Sequence, residues 1–402
     1  MACGVGVIVV CNIETASGPT PYKVFKGEAS SSSSIEIGLG NKIIAIPASL
    51  PLAGTGRTVT ITAASNDSLF MKGIIKSYDG SSGNLSVDIT QINGFGTYSN
   101  WKVVLGKTDA EIQDSLRQAY TNLKFGMFLH FNMSTFDRCC CTGCYSVSGE
   151  WGLANTQETE FNPTALNCGQ WADVAKSAGC KYMVLVSKHH DGFCLWHSQY
   201  TNHCVSHAAC TTDVIREFVD SARAEGMKVG LYYSIRDLTN GYSLSFIKGQ
   251  LTELLSNYGD LICLWFDGWG WGPGYNRVPY DTIRNLIKSI QPHCLIVENN
   301  HEFTTVHSEM IEYEMPIDGP PPIGNIRPAE GNQPIRSDMI WFWHPDRNCD
   351  LKSAQSIVDE LNANNSRNAS YLLDLTPDTT GLIPQCQADR MHEVGVLRGV
   401  VQ

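Results

Sequence analysis

The hydrophobic rhythm of the chain changes near residue 110. Before that point, short stretches alternate apolar and polar residues: KIIAIPA at 42–48, RTVTITAA at 57–64, LSVDITQI at 85–92 and WKVVLG at 101–106. A period of two puts one face of a strand into a core and the other into water. Clusters rich in Ser, Gly, Asp and Pro, such as TASGPTP, ASSSSS and YDGSSGN, supply the turns between them. The pattern predicts a small all-β domain over residues 1–107. DAEIQDSLRQAYTNL, at 109–123, reads as a linking helix.

Beyond it the pattern becomes one of continuous apolar runs at 125–131, 181–190, 228–235, 261–268, 294–300, 310–315, 339–345 and 369–377. Amphipathic stretches such as TTDVIREFVDSARAEG and YDTIRNLIKSIQP separate many of them. Buried parallel strands read as unbroken apolar runs, and helical crossovers join them. Eight runs with this spacing predict an α/β architecture, a (β/α)8 barrel over residues 108–402. An open doubly wound sheet is the alternative, but a glycine-rich phosphate loop does not follow the first run.

Most runs end on polar residues: His130, then Lys188 to Asp191, then Tyr232, Tyr233 and Ser234, then Asp267, then Glu298 to Asn300. In a barrel those strand ends converge on one face, where active sites sit. Several buried polar ends at once are hard to satisfy by packing alone. Carboxylates, histidines and aromatics together suit a sugar, because rings pack on its apolar face while polar groups bond its hydroxyls. A metal on His189, His190 and Asp191 is disfavoured, since adjacent strand residues point to opposite faces. Neither metal nor cofactor is expected.

These residues also carry a resemblance. KFGMFLHF, Glu150-Trp151, SKHHDGFCLWHSQYT, KVGLYYS and LLSNYGDLICLWFDG follow in the order seen in the α-L-fucosidases, the retaining enzymes of glycoside hydrolase family 29. RNASYLLDLTPDTTGLIP is similar to that family's last barrel strand. The resemblance implies an exo-glycosidase that releases fucose from α-L-fucosides by double displacement. It makes Asp267 the nucleophile and places His130, Glu150, Trp151, His189, His190, Tyr233 and Trp265 around the sugar. The acid/base is poorly marked among Glu298, Glu302, Glu309, Glu312, Glu314 and Glu330. GNIRPAEGNQPIRSDMIWFWHP resembles a family segment with a Glu upstream of an aromatic strand, which favours Glu330, with Glu309 and Glu314 as rivals. Three positions depart from the family: HFN replaces His-Trp-Gly after the first strand, Gly152 replaces an aromatic, and Asp374 replaces an Asn.

The segment 74–106 resembles β units of phage tail-fibre and tail-spike proteins. That resemblance implies attachment to a virion tail and a homotrimer, and an accessory carbohydrate-binding domain is the alternative. For the whole chain, the alternative to an enzyme is a catalytically weak carbohydrate-binding adhesin on the same barrel.

Composition narrows the partners. A formal net charge of −11 argues against a nucleic-acid surface, which needs clustered Lys and Arg. The apolar runs are too short for membrane insertion. MACGVGVIVVCNIETASG has no basic residue before Lys23, so a signal peptide is not expected and synthesis in the cytoplasm is. The 15 cysteines are odd in number and scattered, apart from Cys139, Cys140, Cys141 and Cys144. Reduced thiols are the expectation, with scattered disulfides or a metal at the cluster as alternatives.

Overall fold

A computed structural model describes residues 27–46, 56–106, 109–136, 150–152 and 156–401. The four clustered cysteines and the apolar start of the chain lie outside the described residues. The chain divides into two compact units, Met1–Ser115 and Leu116–Gln402.

The first unit is antiparallel throughout. Its strands are β1 (Gly27–Ser31), β2 (Ile35–Glu36), β3 (Gly40–Ala45), β4 (Thr58–Ala63), β5 (Phe70–Asp79), β6 (Asn84–Asn93), β7 (Thr97–Tyr98) and β8 (Trp101–Leu105). Six form one sheet in the order β1-β8-β4-β5-β6-β3, and β2 pairs with β7. The alternation seen in the sequence buries Val59 and Ile61 of β4, Leu85 and Val87 of β6, and Trp101 and Val103 of β8 on one face. The exposed neighbours take the other face, as period-two patterning requires.

The second unit is an eight-stranded parallel sheet: β9 (Phe125–Leu129), β10 (Tyr182–Lys188), β11 (Lys228–Ser234), β12 (Cys263–Asp267), β13 (Leu295–Glu298), β14 (Ile311–Glu314), β15 (Ala329–Pro334) and β16 (Ala369–Leu375). Neighbours run β13-β12-β11-β10-β9-β16-β15-β14, and a parallel bridge between Val297 and Met310 closes the ring. The (β/α)8 barrel is thus confirmed. Helices Cys168–Ala178, Val214–Ala224, Leu244–Asn257, Tyr280–Ile290, Ala354–Ser366 and Gln385–Leu397 cover it. Between β14 and β15 the helix is a single turn, Met315–Asp318. Within β11, Val229, Leu231 and Tyr233 join the core shared with the helices. Tyr232 joins the barrel interior with Phe128, Val184 and Trp265.

Two expectations are corrected. The seventh strand is AEGNQP (329–334), and MIWFWHP (339–345) is a loop. All six residues of β15 are buried although three, Glu330, Asn332 and Gln333, are polar, so hydrophobicity could not mark it. The aromatic loop instead supplies Trp341 to the pocket at the barrel mouth. The cysteines are not all reduced: Cys349 and Cys386 form a disulfide with Cα atoms 5.7 Å apart. It ties the loop after β15 to the last helix. Such pairing depends on proximity in space, which spacing along the chain does not reveal.

Candidate active site

Register carries the inward-facing residues of neighbouring strands into layers. Tyr232 sits beside Trp265 and Ser234 beside Asp267. Phe128, Tyr232 and Trp265 build the floor of an open pocket at the C-terminal ends of the strands. The rings of Tyr232 and Trp265 stack at 5.5 Å, and Phe128 tilts onto Trp265 at 5.3 Å.

Asp267 ends β12 and lines this pocket. Its Oδ2 accepts from the Tyr232 hydroxyl at 2.9 Å, and its Oδ1 accepts from the backbone N–H of Gly268 at 2.6 Å. Burial and the charge of Glu314 push its pKa up to about 7, against the pull of those two donors. Glu314 ends β14 and lines the same pocket. The Asn299 amide donates to its Oε2 at 2.8 Å, and the Trp341 indole also hydrogen-bonds it. Burial raises its pKa as well. Two carboxyls in one desolvated pocket titrate as a pair, with the second proton held unusually firmly.

The histidines are neutral ligands. Burial lowers the pKa of His130 to about 3. Its Nδ1 lies 2.8 Å from Asp374 Oδ1, an oxygen that also accepts from the His130 backbone N–H. His130 Nε2 is thereby left as an acceptor. His190 Nδ1 lies 2.7 Å from the Ser234 hydroxyl, which itself donates to the Arg236 carbonyl. That fixes the tautomer and leaves His190 Nε2, 3.7 Å from Asp267 Oδ2, facing the pocket. Burial, reinforced by His130, also keeps His189 neutral, and its ring stacks on Tyr232 at 5.6 Å. The two histidines do not point to opposite faces as a strand would require. β10 stops at Lys188, and the turn that follows brings both rings into the pocket with centroids 4.2 Å apart.

Glu150 and Trp151 lie on the wall. Glu150 Oε1 accepts from the backbone N–H groups of Trp341 and Phe342, which docks the aromatic loop. Burial raises its pKa to about 8, and Oε2 is buried with no hydrogen-bond partner among the described residues. Trp151 and Trp271 pack at 5.4 Å, with Arg236 over both rings.

Two expected residues fall elsewhere. Tyr233 points away from the pocket and donates to Gln250 at 2.7 Å, so Tyr232 takes the place expected for it. Parity is the reason, since Tyr233 shares its face with Leu231 and Val229. Glu330 lies at the start of β15, two residues below Asn332 and deep inside the barrel. It accepts from Tyr120 at 2.8 Å, Tyr182 at 2.6 Å, Trp265 at 3.0 Å and Ser370 at 3.3 Å. It does not line the pocket and is fully buried. Glu309 is likewise absorbed, by Arg284 at 3.0 Å and Lys288 at 2.7 Å. Of the three candidates, Glu314 alone lines the pocket beside Asp267. Asn299, His301, Trp271 and Asn332 are further lining residues that had no assigned role in the sequence reading. Among the described residues, no cluster of His, Cys, Asp and Glu could hold a metal ion.

Comparison with known proteins decides the family. Residues 104–397 match the α-L-fucosidase family. The chain belongs to the α-L-fucosidase family. It is 30% identical over 310 residues to α-L-fucosidase 1 of Arabidopsis thaliana, covering 68% of this chain and 58% of that one. A putative α-L-fucosidase 1 of Oryza sativa is 32% identical over 313 residues, covering 69% and 57%. The chain therefore spans somewhat over half the length of these plant relatives. Among solved structures, α-L-fucosidase isoenzyme 1 from Paenibacillus thiaminolyticus aligns with a TM-score of 0.60 at 28% identity, over 72% of this chain and 76% of that one. The fucosidase-family match begins just before the linking helix, so nearly all of the first unit lies outside it.

Proposed function

We propose that this chain is a retaining exo-α-L-fucosidase in which Asp267 is the nucleophile and Glu314 the acid/base. The observation that carries the reading is the pairing of Asp267 and Glu314 in one aromatic-floored pocket, each braced by neutral donors. Glu314 gives its proton to the leaving oxygen while Asp267 attacks the anomeric carbon. The ionised Glu314 then takes a proton from water, which displaces Asp267 and restores both groups. The Tyr232 hydroxyl and the Gly268 N–H hold the attacking carboxylate in place. His130, His189, His190 and Glu150 bond the sugar hydroxyls, and Trp151 and Trp265 supply apolar surface.

The test is hydrolysis of aryl α-L-fucosides. Asp267→Ala should lose about 10³-fold or more in kcat while folding normally. Glu314→Ala should lose far more on poor leaving groups than on activated aryl ones, and azide should rescue it. Near-normal turnover in Asp267→Ala would remove it from the mechanism, and a folded protein that binds fucose without turnover would favour the adhesin reading.

For the first unit, the reading of a tail-fibre-like attachment module rests on the residue pattern of 74–106. The oligomeric state of the full chain tests the trimer it implies.

A further inference from the structure

The Glu314 side of the pocket holds groups that the reaction above does not use. Asn299 follows the last residue of β13 and is 7% exposed. Its Nδ2 is spent on Glu314 Oε2, and its Oδ1, shielded from solvent, has no hydrogen-bond partner among the described residues. Two residues on, His301 adopts a left-handed backbone at φ 54°, a conformation a non-glycine residue holds only when its surroundings impose it. The surroundings here are Asp318. Its carboxylate lies 3.0 and 3.1 Å from His301 Nδ1, and its Oδ2 also accepts from the Glu314 backbone N–H at 2.9 Å. One carboxylate therefore locks the imidazole to the strand end that carries Glu314. With Nδ1–H given to Asp318, His301 Nε2 is an acceptor. It lies 3.9 Å from Glu314 Oε2, too far to be satisfied by it. Ile317, three residues after Glu314, lines the same pocket with 64% of its surface exposed.

We infer that Asn299, His301 and Ile317 form a subsite for the leaving group, and that it takes a sugar bearing an O–H or amide N–H donor beside the glycosidic bond. The inference rests on Glu314 being the acid, because the acid must touch the leaving oxygen, and the atoms next to that oxygen then meet these residues. His301 Nε2, an acceptor beside the acid on the pocket wall, calls for a donor on the leaving group. Ile317 offers apolar surface for the C–H face of the ring. Asp318 is a positioning residue that aims His301.

The experiment compares kcat/KM for an aryl α-L-fucoside with that for fucosyl disaccharides. The leaving sugar carries, beside the linkage, a hydroxyl, an acetamido group or only hydrogen. Wild type should favour either donor over the deoxy sugar by about 10- to 100-fold, the effect of leaving a buried acceptor unpaired. His301→Ala should erase that preference and lower the disaccharide-to-aryl ratio by a similar factor. His301→Gln, which keeps an acceptor at its tip, should recover much of the ratio, and Asp318→Asn should lower it less than His301→Ala does. The hydroxyl and acetamido arms separate the two donor sources. Indifference of wild type to the deoxy substitution overturns the subsite. So does an equal loss on all substrates in His301→Ala, which would mark a general effect on Glu314 or on folding. Absence of wild-type activity on the aryl fucoside overturns the fucosidase reading itself, and this inference with it.

Discussion

Glu330→Ala is the substitution that most sharply separates the barrel's interior from its chemistry. Glu330 is fully buried and accepts four hydrogen bonds, from Tyr120, Tyr182, Trp265 and Ser370. Burial raises its pKa and those donors pull it back down. Truncation to Ala leaves the four donors facing a cavity. The hydroxyls can rotate, and Ser370 already reaches the Ala329 carbonyl at 3.4 Å. The Trp265 indole N–H cannot turn away without moving the pocket floor. One or two donors thus stay unsatisfied at about 1–3 kcal/mol each, and the lost packing adds to that. Release of the buried carboxyl's own desolvation offsets a part. A net destabilisation of about 3 kcal/mol follows, or roughly 6–12 °C in Tm for a barrel of this size. Glu330→Gln keeps an acceptor for Trp265 and should cost about 1 kcal/mol. The assay is thermal unfolding beside fucoside hydrolysis. Residual activity in Glu330→Ala should show neither leaving-group dependence nor azide rescue. A Glu330→Ala protein of wild-type stability that shows both would refute the reasoning and return Glu330 to the acid's role.

Two further expectations follow from the pocket's charges. Turnover should follow a bell-shaped pH profile: acid pH protonates Asp267, raised to about 7 by burial and by Glu314, and alkaline pH strips Glu314, raised by burial. Glu314→Gln removes the group that titrates on the alkaline side, so with an activated aryl fucoside the acid limb set by Asp267 should remain and the alkaline limb should disappear; an alkaline limb that survives would contradict the assignment. Asp374→Asn keeps an acceptor for His130 and should change kcat/KM by less than about threefold, whereas Asp374→Ala frees the imidazole and should cost about tenfold or more. Equal effects of the two would show that Asp374 does not act by orienting His130.

Much of the barrel was legible because its strands obey a physical necessity. β9 to β12 are buried on both faces, and so they appear as continuous apolar runs. The same logic misled at residues 329–345. On β15, Glu330 and Asn332 face a barrel interior lined with hydrogen-bonding groups, where Asn332 donates to Glu312, and Gln333, on the helix-facing side, donates to Tyr371 at 2.6 Å. A strand that meets its polar partners inside looks like a loop in sequence. MIWFWHP looks like a strand because aromatics that pack on the pocket's histidines are as apolar as a core.

The site shows the same division. Asp267, His130 and the His189-His190 pair sit where chain order puts them, at the ends of unmistakable strands, and their contribution to one pocket follows from the barrel alone. Tyr232 and not Tyr233 enters the pocket, and two tyrosines in succession offer no clue to which is inward. The clue lay two residues away: Gly230, Tyr232 and Ser234 share a parity, and Gly230 leaves no room for a Cβ, which would lie 2.5 Å from Cys263 Sγ. A glycine demanded by the crowded barrel interior marks the inward face, and Tyr232 with it. Glu314 was obscured for the opposite reason. It stands beside Glu312 and near Glu309 and Glu298 in a short stretch dense with carboxylates, and each is buried for a different purpose. Lys288 and Arg284 claim Glu309, Asn332 claims Glu312, and Tyr275 reaches Glu298 at 3.5 Å. Only the partners distinguish them, and partners that come from other strands are absent from any local pattern. What marks Glu314 is that it and its partner Asn299 both line the pocket that holds Asp267, whereas Glu309 and Glu330 do not.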